Sequence, residues 1–365
     1  MILKNYAYLS QQKLEPIVGG SFKRSHFYEL LAASFGFKSY AALSSDCVFT
    51  QQEDGNTSQP PDQAMIHQRF GELGYDPAIL ELAVSTFQSC VSENNIDVVD
   101  VAELVGKLRE DPFYGEQFSN SPFSREYQPL FLESLESKAS AGDHLAHYAL
   151  ALLYSPNEQN SGGQDGEYWY RLEKNGRELT GFEKDFAEEY ARQLWESEKH
   201  AFHLRAAGKL GNSSALLDLA ELFQDPSYLD ALKKRGISDD PMRASSLAEA
   251  LGRKEDVEYW LIEAAKNGEV DAMRYLISDF CNEDIQSSWM WFYLAEKLGT
   301  DLTKSDMHAY HEGGPNADQR YDDDVGGSLY ADGHEGLVLE PLDEDGKREA
   351  KDLATRMFLE IQQPI

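Results

Sequence analysis

Cysteine, basic charge and long apolar runs are all in short supply, and each shortage removes a class of protein. Three cysteines among 365 residues, Cys47, Cys90 and Cys281, lie far apart and form no CxxC pair. They provide neither a disulfide framework nor a cysteine-based zinc pattern. Sparse thiols suit a reducing compartment, so a cytoplasmic location is expected. Lys and Arg number 33 against 64 Asp and Glu, a net charge of −31. Nucleic acids and anionic bilayers are bound largely through positive surface, so neither is an expected partner. A protein or peptide with a basic surface fits this field better. No stretch approaches the ~18 apolar residues that span a bilayer. The opening MILKNYAYLSQQKLEPIVGG is too polar for a secretory signal.

Motifs for cofactors are missing too. There is no Gly-x-x-x-x-Gly-Lys-Ser/Thr phosphate loop, no Gly-x-Gly-x-x-Gly and no Gly-x-Ser-x-Gly. No cofactor and no catalytic residue is expected. Acidic residues are frequent enough that paired carboxylates arise from composition alone.

What is present is a folding sequence. Its 19 Tyr, 18 Phe and 5 Trp are spread along the chain, unlike those of a disordered acidic tail. In residues 22–45, Phe27, Leu30, Leu31 and Phe35 recur at helical spacing, with Ser25 as the expected cap and Gly36 as the stop. A second short helix follows from Tyr40. Residues 1–46 hold five Lys and Arg and three Asp and Glu, the one mildly basic region. A helix–turn–helix is one reading of it, but no array of basic side chains follows, and a small helical region is the simpler expectation. Residues 51–63, with Pro60-Pro61, read as a linker. Asp97 to Leu108 reads as a helix capped by Asp97 or Asp100.

From residue 128 the spelling repeats. LESKASAGDHLAHYALALLY (135–154), AFHLRAAGKLGNSSALLDLAELF (201–223) and YWLIEAAKNGEVDAMRYLISDF (259–280) each pair an alanine-rich helix with Gly142, Gly211 or Gly268. An alanine follows four residues later, at Ala146, Ala215 or Ala272, where a second helix begins. Small residues such as Ala206, Ala207, Ala264 and Ala265 let helix backbones approach, and Trp260 seals a pair. One hairpin cannot bury its apolar side alone, whereas stacked hairpins can. WMWFYLAEKLG (289–299) is a partial fourth copy. The glycines are 69, 57 and 31 residues apart, so the period is irregular.

These segments resemble Sel1-like repeats, relatives of the tetratricopeptide class. The resemblance rests on the Gly-x-x-x-Ala junction and on Trp-x-x-x-Ala-Ala-x-x-Gly, spelled here by Trp260, Ala264, Ala265 and Gly268. In a second copy His203 takes the tryptophan position before Ala206, Ala207 and Gly211. The resemblance implies an all-α superhelix or solenoid of helical hairpins in a bacterial protein. It also implies non-enzymatic work as a protein–protein interaction scaffold or adaptor. The expected organisation is a small helical region over 1–50, a linker with irregular helices over 51–127, the repeat array over 128–311, an acidic loop over 312–345 and a capping helix over 346–365.

The loop at 312–345 holds 11 acidic residues, one basic residue and six glycines. It is expected to be solvated or to face a partner. Three His-x-x-His pairs stand out: His144/His147, His200/His203 and His308/His311. Packing or surface exposure is the simpler account of the first. The alternative to an adaptor is a metal-dependent enzyme using a histidine pair and loop carboxylates, with His308, His311, Asp322 and Asp324 as its candidate ligands. The EF-hand spacing fails, because position 12 counted from Asp322 is Gly333 where glutamate is required. Of the aromatics at 289, 291, 292 and 293, some are expected to pack internally, and a single exposed Trp or Tyr could serve as an interface anchor. After Pro341, Ala350, Leu353, Ala354, Met357, Phe358 and Ile361 define an amphipathic helix capped by Asp343 or Asp345.

Overall fold

The computed structural model describes residues 2–51, 61–111, 113–121, 124–156, 163–236, 238–281 and 284–363. Most of the linker expected over 51–63 lies outside them. The chain is mainly helical and divides into two compact units, Met1–Leu216 and Leu217–Ile365.

In the first unit, α1 (Ile2–Val18), α2 (Arg24–Ser34), α3 (Tyr40–Asp46), α4 (Gln63–Glu72) and α5 (Leu80–Glu93) share one core. Phe27, Leu30 and Leu31, on the face expected from periodicity, meet Ile66, Phe70 and Phe87 there. Ser25 does not cap α2. The cap position falls two residues earlier, at Lys23, and the helix starts at Arg24, while Gly36 takes the left-handed conformation expected of a stop.

Strands are the main departure from the sequence expectation. β1 (Cys47–Gln51) pairs antiparallel with β2 (Ile96–Asp100), setting Val48 against Val99 and Phe49 against Val98. β-branched and aromatic side chains favour this half-buried, pleated setting over helix. Of the two candidate caps, Asp100 accepts the Glu103 N–H at 2.9 Å and starts α6 (Val101–Glu110), while Asp97 sits inside the strand. A second, short antiparallel pair joins β3 (Ser119–Ser121) to β4 (Ser124–Tyr127). The free edge of β1 is satisfied by side chains: Ser134 accepts from Phe49 N at 3.0 Å, and Gln128 accepts from Thr50 and Gln51 at 2.9 and 2.8 Å. Gln128 immediately precedes α7 (Pro129–Ser140), and α8 (His144–Leu153), α9 (Gly163–Lys174) and α10 (Phe182–Leu210) follow. At 29 residues α10 is the longest helix among those described.

α11 (Ser213–Phe223) straddles the division into units. In the second unit, α12 (Ser227–Arg235), α13 (Pro241–Ala250), α14 (Lys254–Lys266), α15 (Val270–Tyr275) and α16 (Ile285–Lys297) follow in order. The segment Leu276–Phe280 continues α15 as a wider π turn. Arg243 of α13 ties back to Asp218 at 2.7 Å and to Glu221. Lys233 and Arg253 converge on the buried carboxylate of Asp256, with Lys233 at 2.7 Å. Trp291 and Tyr293 of α16 are buried while Trp289 and Phe292 are half-buried, so some of its aromatic rings pack internally, as expected. Asp343 caps α17 (Glu344–Ile361) through the Gly346 N–H at 2.7 Å. α17 buries Ala350 and Ala354, whereas Leu353 remains exposed.

The Gly-x-x-x-Ala junctions have a common local geometry. Gly142, Gly211 and Gly268 have φ of +93°, +106° and +96°, a left-handed conformation that costs any other residue a Cβ clash. The next N–H then reaches back to the preceding helix: Asp143 to Lys138 O, Asn212 to Ala207 O and Glu269 to Ala264 O. In two of the three, that same residue caps the following helix, with Asp143 accepting from Ala146 N at 2.9 Å and Asn212 from Ala215 N at 2.8 Å. Glycine, cap and third helical residue therefore fix the four-residue spacing.

Between α16 and α17, β5 (His308–His311) pairs antiparallel with β6 (Leu329–Asp332). The acidic segment expected as a plain loop is thus built on a two-stranded ribbon.

Candidate functional site

Most of the alanines expected as a repeat signature lie in the interior. Ala146, Ala207, Ala215, Ala264, Ala265 and Ala272 are fully buried, and so is Trp260. Ala206 differs: it is half-buried and lines an open trough on α10.

The candidate metal ligands are not brought together. In a strand, i and i+3 point to opposite faces, so His308 and His311 diverge. His308 Nε2 lies 2.9 Å from Arg320, and His311 Nε2 accepts the Asp322 N–H at 3.2 Å. The Asp322 carboxylate accepts the Asp324 N–H at 3.0 Å. Among the described residues no three His, Cys, Asp or Glu side chains form a group able to hold a metal ion. The surrounding segment is pinned by its backbone. Asp306 N donates to His334 O at 3.1 Å, Leu337 N to Leu302 O at 2.8 Å, Arg274 to Glu335 O at 2.9 Å and Trp289 Nε1 to Glu340 O at 2.8 Å.

The other two histidine pairs do converge, across the contact between α8 and α10. His147 Nδ1 and His203 Nδ1 are 3.0 Å apart, and His200 Nδ1 is 2.7 Å from Ala151 O. His144 Nδ1 lies 3.3 Å from Asn212. His203 is 5% exposed, its Nε2 has no hydrogen-bond partner, and Tyr154 stacks against its ring at 6.1 Å. Burial, with His147 and Lys199 adding to it, pushes His203 down to about 4. Burial lowers His147 as well, opposed by its bond to the Ala139 backbone and by Asp143. The contact between His147 and His203 is therefore built for neutral rings. For the two Nδ1 atoms to bond, one donates and the other accepts, and double protonation would set N–H against N–H.

Directly above this layer is Phe202, its ring 5.0 Å from His203 and 6.4 Å from His147, yet 60% exposed. A row with a period of four runs through Phe182, Phe186, Tyr190, Leu194, Glu198, Phe202, Ala206 and Leu210, but it winds about 40° around α10 at each step, so only its stretch around Phe202 shares one face. Phe182 is 81% exposed, and Phe186, Leu194 and Leu210 are exposed too. Rows of i±4n residues are the surface that helices most often use to pack on one another. Around Phe202 the trough is lined by Leu194, Ala201 and Ala206, with Glu198, Arg205 and Lys209 as its charged members. The ridge was legible in the sequence as apolar residues four apart. It was obscured because the inward stripe of His203, Leu204 and Ala207 carries the repeat pattern.

No family model matches the chain, and no curated protein or solved structure gives a significant match to it.

Proposed function

We propose that the chain is a non-enzymatic protein–protein interaction scaffold, an adaptor assembled from helical hairpins of the Sel1-like type, working in a reducing cytoplasm. The exposed α10 ridge carries this reading. Large apolar side chains that remain in water on a helix whose opposite face is packed mark interaction surface. The thiols accord with a reducing setting: all three are buried, and burial raises the Cys47 and Cys281 thiols to about 11. Among the described residues no helix is long and apolar enough to cross a membrane.

A second contact is proposed at the acidic segment for a partner with a basic surface. There the carboxylates of Asp322, Asp323, Asp324 and Asp332 are exposed. Affinity capture with the wild-type chain, with Phe202→Asp and with a chain lacking residues 315–336 tests both contacts. Proteins retained by wild type should be lost with Phe202→Asp, or lost in a salt-dependent way with the deletion. Identical recoveries from all three baits would refute the adaptor.

A further inference from the structure

We infer that β6 is a docking edge for an extended basic strand of a partner protein, which adds antiparallel beside Leu329 and Ala331 and lays alternate Lys or Arg side chains against Tyr330 and Asp332. The inference rests on the proposed contact between the acidic segment and a basic partner, and names how that partner is held.

The backbone leaves one edge of the ribbon open. Glu312 N donates to Ser328 O at 3.0 Å, and bonded pairs alternate along an antiparallel ladder. Tyr310 with Tyr330 and His308 with Asp332 are then bonded pairs, while the N–H and C=O groups of Ala309, His311, Leu329 and Ala331 point outward. On β5 the outward side is covered. Ala309 O accepts from Tyr321 N at 2.8 Å, His311 N donates to Gln319 O at 3.0 Å, and His311 O accepts from Asp318 N at 3.0 Å. On β6 the outward groups of Leu329 and Ala331 meet no partner among the described residues, and all four residues of the strand are exposed. Strand addition uses such a row of unpaired groups.

The side chains select the occupant. Tyr310 and Tyr330 stack on one face with ring centres 5.6 Å apart, and His308 and Asp332 share that face. The Tyr330 hydroxyl donates to Asp318 at 2.9 Å, which sets a carboxylate at the end of its ring. Arg320, the one basic residue of 312–345, lies across β5 from β6, bridged to Tyr310 and 2.9 Å from His308. A Lys or Arg beside β6 therefore meets an aromatic face and carboxylates with no competing cation from this segment. The opposite face offers Leu329, 48% exposed, and Ala331, so the alternate residues of the incoming strand are apolar. A second copy of β6 is a poor occupant, because it would set two segments of 11 acidic residues against each other.

Fluorescence anisotropy of a labelled peptide of three Arg-Val repeats, titrated with the full chain at low and at high salt, is the test. The peptide should bind saturably, and a peptide of Glu-Val repeats should not. In antiparallel addition the valines stand opposite Leu329 and Ala331 and turn their N–H groups to β6. Methylating the valine nitrogens should therefore weaken binding ~10-fold or more, whereas methylating the arginine nitrogens, which face away, should be tolerated. Ala331→Pro removes an outward N–H at an edge that tolerates proline, and should weaken binding to a similar extent. Asp332→Asn should weaken it ~3-fold and reduce its salt dependence. Equal effects of the two methylation patterns, or full binding by Ala331→Pro, overturn strand addition, and salt-dependent binding then leaves the acidic contact standing. If the unmethylated arginine peptide does not bind, both fall.

Discussion

Two surfaces of this protein can be set side by side: the outer face of α10 and the acidic segment around β5 and β6. The first is a stretch of exposed apolar side chains on a continuous helix, with the rings of His147, His203 and Tyr154 packed beneath Phe202. The second is carboxylate-rich, and its backbone is pinned at Asp306, Leu337, Glu335 and Glu340. A protein meets solvent cheaply through carboxylates, whereas exposed Phe182, Leu194 and Phe202 give up apolar burial. The contrast teaches that the densest charge is not the most informative surface. Charge alone is explained by solvation, but an exposed ridge with complementary charges around it asks for an occupant.

The largest separation between the two regions is expected in acid. His203 titrates at about 4 in the folded chain, below its ordinary value of 6.5. The neutral ring's contribution is therefore complete above pH 6.5 and is lost as the pH falls from 6.5 toward 4. Complete loss amounts to about 3 kcal/mol. Urea unfolding at pH 7 and pH 4.5 should show this loss, and His203→Leu should flatten the difference relative to wild type. An equal slope in the variant would place the acid sensitivity elsewhere.

Gly336→Ala attacks the other region. A Cβ there would run into the Thr303 carbonyl oxygen, so the backbone must move, at a cost of about 1–3 kcal/mol. Hydrogen exchange should accelerate around residues 302–340 and remain unchanged across α10. Trp289→Phe removes the indole donor to Glu340 O and trims the ring that packs on Phe292 and Tyr293, and should cost about 1–2 kcal/mol in thermal unfolding. The smallest effect on stability belongs to Phe202→Asp, within about 0.5 kcal/mol, because an exposed side chain holds little of the fold. Measured by denaturation, it should be nearly silent, while any loss of binding is large.

Much of the helical framework was legible because its signals are local. Gly142, Gly211 and Gly268 marked turns, Ala146 and Ala215 marked the helix starts that follow, and Asp343 marked the cap of α17. The strands were not legible: β1 and β2 are separated by two helices in the chain, and their pairing is non-local. His308 and His311 failed as a joint site because a strand, not a helix, carries them. The layer under Phe202 draws from two His-x-x-His pairs at once, and their contact depends on how α8 meets α10. The ridge itself was visible as a period of four, but only burial shows which stripe of α10 faces outward.

The account turns on whether the outer face of α10 is covered in the working protein. Hydrogen exchange on the wild-type chain alone and in complex with a captured protein, followed by mass spectrometry, tests this most directly. The account predicts that peptides spanning residues 194–210 become protected in the complex. Unchanged exchange across 194–210 in every complex recovered would contradict it.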